Sequence, residues 1–436
     1  MSPLPKPALR QRLLARFKTG RAQLRAVLHP WVGRRLPRQL RAKNVGRLAA
    51  GWPDGVRSTE YEQLIGRIDT GPIHRGDRIE VFHRGSDAVE AVRAAIEGAQ
   101  DEILLETYIL KDDRTGNGLL RLLARAAGRG VKVRVLADAA GSWFTKRRFW
   151  RRMVSHGIET RLFHPLFRNF FDLLLRDHRK IIVVDRRIAF TGGMNVADEY
   201  GSARHSSGHN VWRDTHVRLE GSTAWGLAVV FNEGWVRAGG TALYLPARAE
   251  AAPTGPKTLV LNCRSGRGHA ETASVLAATM AAARDRLWIT NSYFAPHPEV
   301  LDRLCAAAQR SVDVRLLLPG QTDMPMVRRA GRGSYARLLR SGVRIFEYRP
   351  TIIHAKTLVV DDWVSMIGSS NLDYRSSYLN SECNVLILDA ATGQGMAERF
   401  LLDLKRATEI KLRAWSERSM WEKCGDVLFR RLSPLF

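Results

Sequence analysis

An eight-residue stretch occurs twice in this 436-residue chain, as His178-Arg179-Lys180-Ile181-Ile182-Val183-Val184-Asp185 and as His354-Ala355-Lys356-Thr357-Leu358-Val359-Val360-Asp361. The apolar, β-branched run between Lys and Asp predicts a buried strand, on which residues i and i+2 share a face. His and Lys therefore point the same way in each copy. Asp, seven positions after His, has the opposite parity, and Asp185-Arg186-Arg187 reads as a turn into a second apolar run. Asp185 and Asp361 complete the candidate catalytic set, as framework residues rather than groups that touch substrate.

An imidazole beside a fixed ammonium suits attack on a phosphate diester: His can act as nucleophile or acid while Lys neutralises oxyanion charge. Two copies supply one of each. After each copy a second strand leads to a small-residue turn and an amide, Thr191-Gly192-Gly193-Met194-Asn195 and Ile367-Gly368-Ser369-Ser370-Asn371. Small residues such as Gly193 and Ser369 let backbone N–H groups approach an anion, and Asn195 and Asn371 add side-chain donors. A half-exposed polar face would explain a single His-x-Lys. Recurrence of His, Lys, Asp, Gly and Asn at the same five spacings points instead to a phosphate-sized catalytic site.

These residues resemble the signature of the phospholipase D superfamily, H-x-K-x-x-x-x-D followed by G-G/S-x-N, and both copies fit without a gap. Gly192 to Tyr200 and Ser370 to Ser376 are similar to the bacterial cardiolipin synthase branch, in the form without N-terminal transmembrane helices; the likeness runs from about Gly76 to about Asp389. It implies an α/β fold: two phospholipase D-like domains related by a pseudo-twofold, with the active site at their interface. The implied chemistry is phosphatidyl transfer through a phosphohistidine, with His178 the favoured nucleophile. The implied donor is phosphatidylglycerol or a similar lipid such as phosphatidylethanolamine, and the acceptor is the hydroxyl of phosphatidylglycerol. Cardiolipin and a free alcohol result.

A catalytic His needs a carboxylate on its other ring nitrogen to fix tautomer and orientation. Asp214 and Glu382, which follow the two Asn turns, are the candidates, and a carboxylate follows each signature motif in the family; for Asp214 a surface strand-end acid is the plainer alternative. No cofactor or metal is expected. The sequence offers no acidic ligand cluster, and Lys180, Lys356, Asn195 and Asn371 can bear the charge.

Other elements recur in the same order. Ile103 to Ile109 matches Leu287 to Phe294, Val131 to Leu136 matches Val312 to Leu317, and Gly157 to Pro165 matches Gly342 to Pro350. Strands alternating with helices predict two α/β units, 76–250 and 251–436, parted by the Pro/Ala/Gly-rich stretch Leu245 to Lys257 and preceded by a basic segment, 1–75. The first unit carries nine more residues than the second just before its His, within the aromatic stretch Leu166 to Asp177, read as core packing or as an acyl-chain entrance.

A formal net charge of +26 predicts a polyanionic partner, nucleic acid or an acidic membrane. The membrane reading is favoured, because Leu9, Leu13, Leu14, Phe17, Leu24, Val27 and Leu28 form one helical stripe ringed by Arg and Lys. No apolar run reaches the roughly 20 residues needed to span a bilayer. Peripheral attachment to the cytoplasmic face of the inner membrane is therefore expected. The C-terminal Trp421 to Phe436 reads as an interfacial segment or a capping helix, and four scattered cysteines suggest reduced thiols. A hydrolase using water as acceptor, a nuclease of the same superfamily and a non-catalytic membrane scaffold are the rival readings.

Overall fold

A computed structural model of the chain describes residues 42–68, 71–164, 175–201, 211–245, 254–264 and 269–433. The helix expected over Leu9 to Leu28 and most of the aromatic insertion lie outside the described residues. First in the chain comes β1 (His74–Arg75), and the first half then holds β2 (Arg78–Phe82), β3 (Glu102–Thr107), β4 (Lys132–Asp138), β5 (Glu159–Phe163), β6 (Ile181–Val184), β7 (Ile188–Gly192) and β8 (His216–Glu220). In the second half run β9 (Lys257–Cys263), β10 (Arg286–Asn291), β11 (Asp313–Pro319), β12 (Arg344–Tyr348), β13 (Lys356–Val360), β14 (Val364–Gly368), β15 (Glu382–Leu388) and β16 (Ala407–Ile410). They form a seven-stranded sheet ordered β2-β8-β7-β6-β3-β4-β5 and a nine-stranded sheet ordered β1-β9-β15-β14-β13-β10-β11-β12-β16. Within each, three strands joined by helices run parallel and the His-bearing hairpin lies antiparallel beside them. The repeat read in the sequence is thus two copies of one mixed α/β unit.

Why the His-bearing strands read as continuous apolar runs is now physical: both faces are covered. Ile181 and Val183 face a central core shared with Val359, Ile367, Val385 and Ile387 of the other sheet. Leu358 and Val360 turn the other way, into the outer core of the second half. Between the sheets lie helices Ser222–Arg237 and Ala390–Leu404, whose Phe231, Trp235, Met396 and Phe400 join that central core. Residues 42–75 belong to the second half although they come first in the chain. Val45, Ala49, Tyr61 and Ile65 enter its outer core, and β1 pairs with β9 at the sheet edge.

Each His-bearing strand ends in a tight turn whose two central residues have positive φ, Asp185 (50°) with Arg186 (54°) and Asp361 (51°) with Asp362 (50°). That is the type I′ geometry, whose twist matches a β-hairpin and which Asp tolerates better than most residues. The Asp185 carboxylate accepts backbone N–H groups from Gln100, Asp101 and Glu102 at 2.8–2.9 Å. Asp361 does the same for Arg284, Asp285 and Arg286, each at 2.9 Å. Both carboxylates therefore hold the start of the neighbouring parallel strand, at the opposite end of the hairpin from His.

Removing such an acceptor leaves three backbone donors without their partner. Asp361→Ala is expected to destabilise the protein by roughly 2–4 kcal/mol, given about 1.5–3 kcal/mol for a hydrogen bond to a charged group and incomplete additivity. Chemical denaturation measures this; turnover per folded molecule should stay within about twofold, because no reacting group is touched.

Candidate active site

The two histidines meet where the sheets face each other, and each is oriented by the opposite half. His178 Nδ1 lies 3.0 and 3.1 Å from the two carboxylate oxygens of Glu382, and His354 Nδ1 lies 2.7 Å from Asp214 Oδ2. The backbone imposes this exchange. The His178 N–H donates to Ser381 O at 2.8 Å and the Ser381 N–H to Arg176 O at 2.7 Å; the His354 N–H donates to Arg213 O at 2.7 Å and the Arg213 N–H to Ile352 O at 2.9 Å. The residue before each His is thereby bridged in parallel to the residue before the other half's carboxylate.

All four groups are buried. Burial lowers the pKa of His178 and brings His354 down to about 3, with Lys356 adding to the effect at His354 and Asp214 opposing it. Burial alone would raise the carboxyls of Asp214 and Glu382, but their histidines and nearby lysines bring both below the ordinary range. In each pair the carboxylate faces Nδ1 of the imidazole, which fixes the ring with Nε2 turned away from the carboxylate. Burial likewise brings Lys180 down to about 7 and Lys356 to about 8, offset by Glu382 and Asp214 and reinforced, at Lys180, by the charge of Lys356. Each lysine donates to the carbonyl of its own histidine, Lys180 Nζ to His178 O at 2.7 Å and Lys356 Nζ to His354 O, and Lys356 Nζ also lies 2.8 and 2.9 Å from the two ring nitrogens of His354.

A model of the family described as "Cardiolipin synthase, PLD-like domain" matches residues 92–208 and 276–404, more than half of the chain. The chain is 32% identical to cardiolipin synthase 1 of Bacillus anthracis, across 98% of this chain and 83% of that protein. It is also 32% identical to the cardiolipin synthase of Listeria monocytogenes serotype 4a, across 84% of this chain and 77% of that one. This chain belongs to the cardiolipin synthase family of phospholipase D-like proteins. Among solved structures its fold is similar to that of phosphatidylserine synthase from Haemophilus influenzae, with a TM-score of 0.67 at 12% identity over 86% of this chain and 98% of that one. A polyphosphate kinase from Porphyromonas gingivalis matches with a TM-score of 0.52 at 17% identity, over 87% of this chain and 56% of that one. Both histidines, His178 and His354, lie within the residues matched by that family model.

The remaining signature residues of the family are placed unevenly. Asn195 Oδ1 accepts the Ile109 N–H at 3.2 Å while its Nδ2 donates to the Tyr200 hydroxyl at 3.0 Å, and Asn371 Oδ1 accepts from Ser292 Oγ at 2.7 Å. Both amides are fixed by these contacts beside the site. Gly193 and Ser369 lie against the orienting carboxylates. A Cβ on Gly193 would come within 2.1 Å of Asp214 Oδ1, and Ser369 Oγ donates to Glu382. Only a residue without a side chain admits Asp214 so closely, while Ser369 supplies a hydrogen bond instead.

Several site residues escaped the sequence reading. Tyr108 packs edge-on to His178 at 4.9 Å between ring centroids, and Tyr293 does so to His354 at 5.9 Å, with Tyr200 and Trp212 each at 5.3 Å from His354. In the repeated strand segment Tyr108 corresponds to Ser292 and Tyr293 stands one position further on, so the repeat does not by itself pair the two tyrosines. Arg179, between His178 and Lys180, points to the opposite side as strand parity requires. There it bonds Asn262 Oδ1 at 2.6 Å and pairs with Glu106 and Glu233 at 3.5 and 3.7 Å, tying the catalytic strand to β9 of the other half. Beside the Asn turns open two cavities, about 510 Å³ next to Asn371 and about 430 Å³ next to Asn195.

The crossed pairs give a kinetic expectation. Glu382→Gln and Asp214→Asn should each cut turnover by about 10- to 100-fold, because an amide no longer fixes the Nδ1–H tautomer. A second expectation concerns pH. Lys180 and Lys356 are charged below their pKa values of about 7 and about 8 and neutral above them, so kcat/KM on dispersed lipid should fall as pH rises through that window. A profile flat to about pH 9 would show that the ammonium charges are not required.

Proposed function

We propose that this protein is a cardiolipin synthase that joins two molecules of phosphatidylglycerol and releases glycerol. The observation that carries this reading is the facing arrangement of two His–carboxylate pairs, His178–Glu382 and His354–Asp214, in a chain of the cardiolipin synthase family. His178 Nε2 attacks phosphorus, the bond to the glycerol oxygen breaks, and His354 gives that oxygen its proton. The phosphatidyl group then rests on His178. A hydroxyl of the second phosphatidylglycerol loses its proton to His354 and attacks phosphorus, which frees His178 and forms cardiolipin.

The choice of His178 as nucleophile draws on the one difference between the lysines: each donates to the carbonyl of its own histidine, but Lys356 Nζ also lies 2.9 Å from His354 Nε2. Two ammonium groups and two carboxylates leave the buried site near neutrality. An arriving phosphodiester adds negative charge, which favours the proton that His354 must carry as acid. Lys180, Lys356, Asn195 and Asn371 clamp the non-bridging oxygens, and no metal enters any step. Phosphatidylethanolamine as an alternative donor would leave the same intermediate and release ethanolamine. We place the enzyme on an anionic membrane surface, peripherally and on the cytoplasmic face. Among the described residues no helix is long and apolar enough to cross a membrane, and the net charge of +26 suits an acidic leaflet.

The test is to incubate purified protein with phosphatidylglycerol vesicles, with and without phosphatidylethanolamine, and to identify the products by mass spectrometry. Cardiolipin with glycerol is the expected outcome; phosphatidic acid alone would mean that water is the acceptor. His178→Ala and His354→Ala should each abolish turnover, and acid quenching of the parent should trap phosphate on His178. EDTA should leave the rate unchanged.

A further inference from the structure

The loop that follows β4 carries two large aromatic side chains outward at its tip. Phe144 is 91% exposed and Trp143 is 52% exposed, although large apolar side chains on a surface usually signal a contact. The tip is held from both sides. Ser142 Oγ accepts the Leu110 N–H at 3.1 Å, and Thr145 Oγ1 donates to Leu110 O. The loop also lies against the site, since a Cβ on Gly141 would come within 2.9 Å of the ring of Tyr108, which packs on His178.

Charge surrounds the tip. Lys146, Arg147, Arg148, Arg151 and Arg152 are all exposed, and helix Arg147–Ser155 has no acidic residue in its first turn. Arg148 reaches Asp112 at 3.5 Å and Arg152 donates to Asn117, which leaves most of the cluster's positive charge uncompensated. Cations at a helix N-terminus oppose the macrodipole, and a nearby anionic surface removes that penalty. The second half repeats the apolar part: after β11, Met324 at the end of the loop and Met326 in the first turn of helix Pro325–Arg332 are 45% and 48% exposed, and Asp323 in that loop accepts the hydroxyl of Tyr293, which packs on His354. Each apolar tip therefore lies beside a tyrosine that packs on one of the two histidines.

We propose that the Trp143–Phe144 tip is a membrane-inserting wedge that enters the interfacial layer of an anionic bilayer, with Lys146 to Arg152 on the lipid head groups. Aromatic side chains favour that layer, and basic residues around them are attracted to anionic lipid. Docking in this way brings the site close to the surface that supplies the lipid. The purpose of the wedge rests on the lipid-substrate reading, but its existence is tested by binding alone.

Full-length protein is sedimented with vesicles of phosphatidylcholine and phosphatidylglycerol. Trp143→Ala/Phe144→Ala is expected to bind about tenfold more weakly while turning over detergent-dispersed phosphatidylglycerol within about twofold of the parent. Phe144→Trp, which keeps an interfacial aromatic, should bind like the parent, and Arg147→Glu/Arg151→Glu should weaken binding most at low salt. A double-alanine variant that binds vesicles as tightly as the parent would overturn the proposal, as would one that loses affinity for DNA and keeps it for vesicles. If binding behaves as expected but no cardiolipin forms, the wedge stands and the assigned reaction falls.

Discussion

Two short parallel backbone bridges carry the geometry of the whole site. One joins the residue before His178 to the residue before Glu382, and the other joins the residue before Asp214 to the residue before His354. A side-chain pair with one member from each half is only as well placed as the halves are relative to each other. A main-chain bridge directly beside each pair removes that freedom. Supporting contacts point the same way: Arg213 grips Asp403 of the second half at 2.6 and 3.0 Å, and Arg179 reaches across to Asn262. Neither half is catalytically complete alone, because each histidine takes its orienting carboxylate from the other.

The central core explains why the halves are held so firmly. Both sheets turn one apolar face inward, and helices Ser222–Arg237 and Ala390–Leu404 fill the space between them. The site forms at the edge of this layer, where apolar packing ends and buried charges begin. There the opposing terms are large: burial depresses both lysines and both histidines, and the carboxylates restore part of what burial removes. The result is a buried cluster of six ionisable side chains whose opposite charges offset one another.

The pseudo-twofold is imperfect in ways that separate the two histidines. Glu106 and Arg179 in the first half correspond to Thr290 and Ala355 in the second, so the buried Glu106–Arg179 ion pair behind the His178 strand has no counterpart at those two positions. The pKa of Glu106 is pushed up, by burial first and by Asp177 second, with Arg179 opposing both. Asp214 is reached through Gly193, whereas Glu382 receives hydroxyl donors from Ser369 and Ser376. Chemically equivalent motifs therefore stand in unequal surroundings.

The sequence alone determined the repeat, the α/β class and the two His–Lys pairs, because strand period and motif spacing are local properties and a duplication makes them visible twice. It also identified Asp185 and Asp361 as framework, since opposite parity and a following turn are read along the chain. Which carboxylate serves which histidine was beyond its reach: Glu382 stands 204 positions from His178, and a linear order gives no account of two halves facing each other. The same limit hid the packing of residues 42–75 on the second half. Gly193 and Ser369 were read as anion-binding turns, and only the close approach of the carboxylates showed what they accommodate. Tertiary structure decided these points because each depends on the relative placement of surfaces distant in sequence, which buried area and backbone pairing fix together.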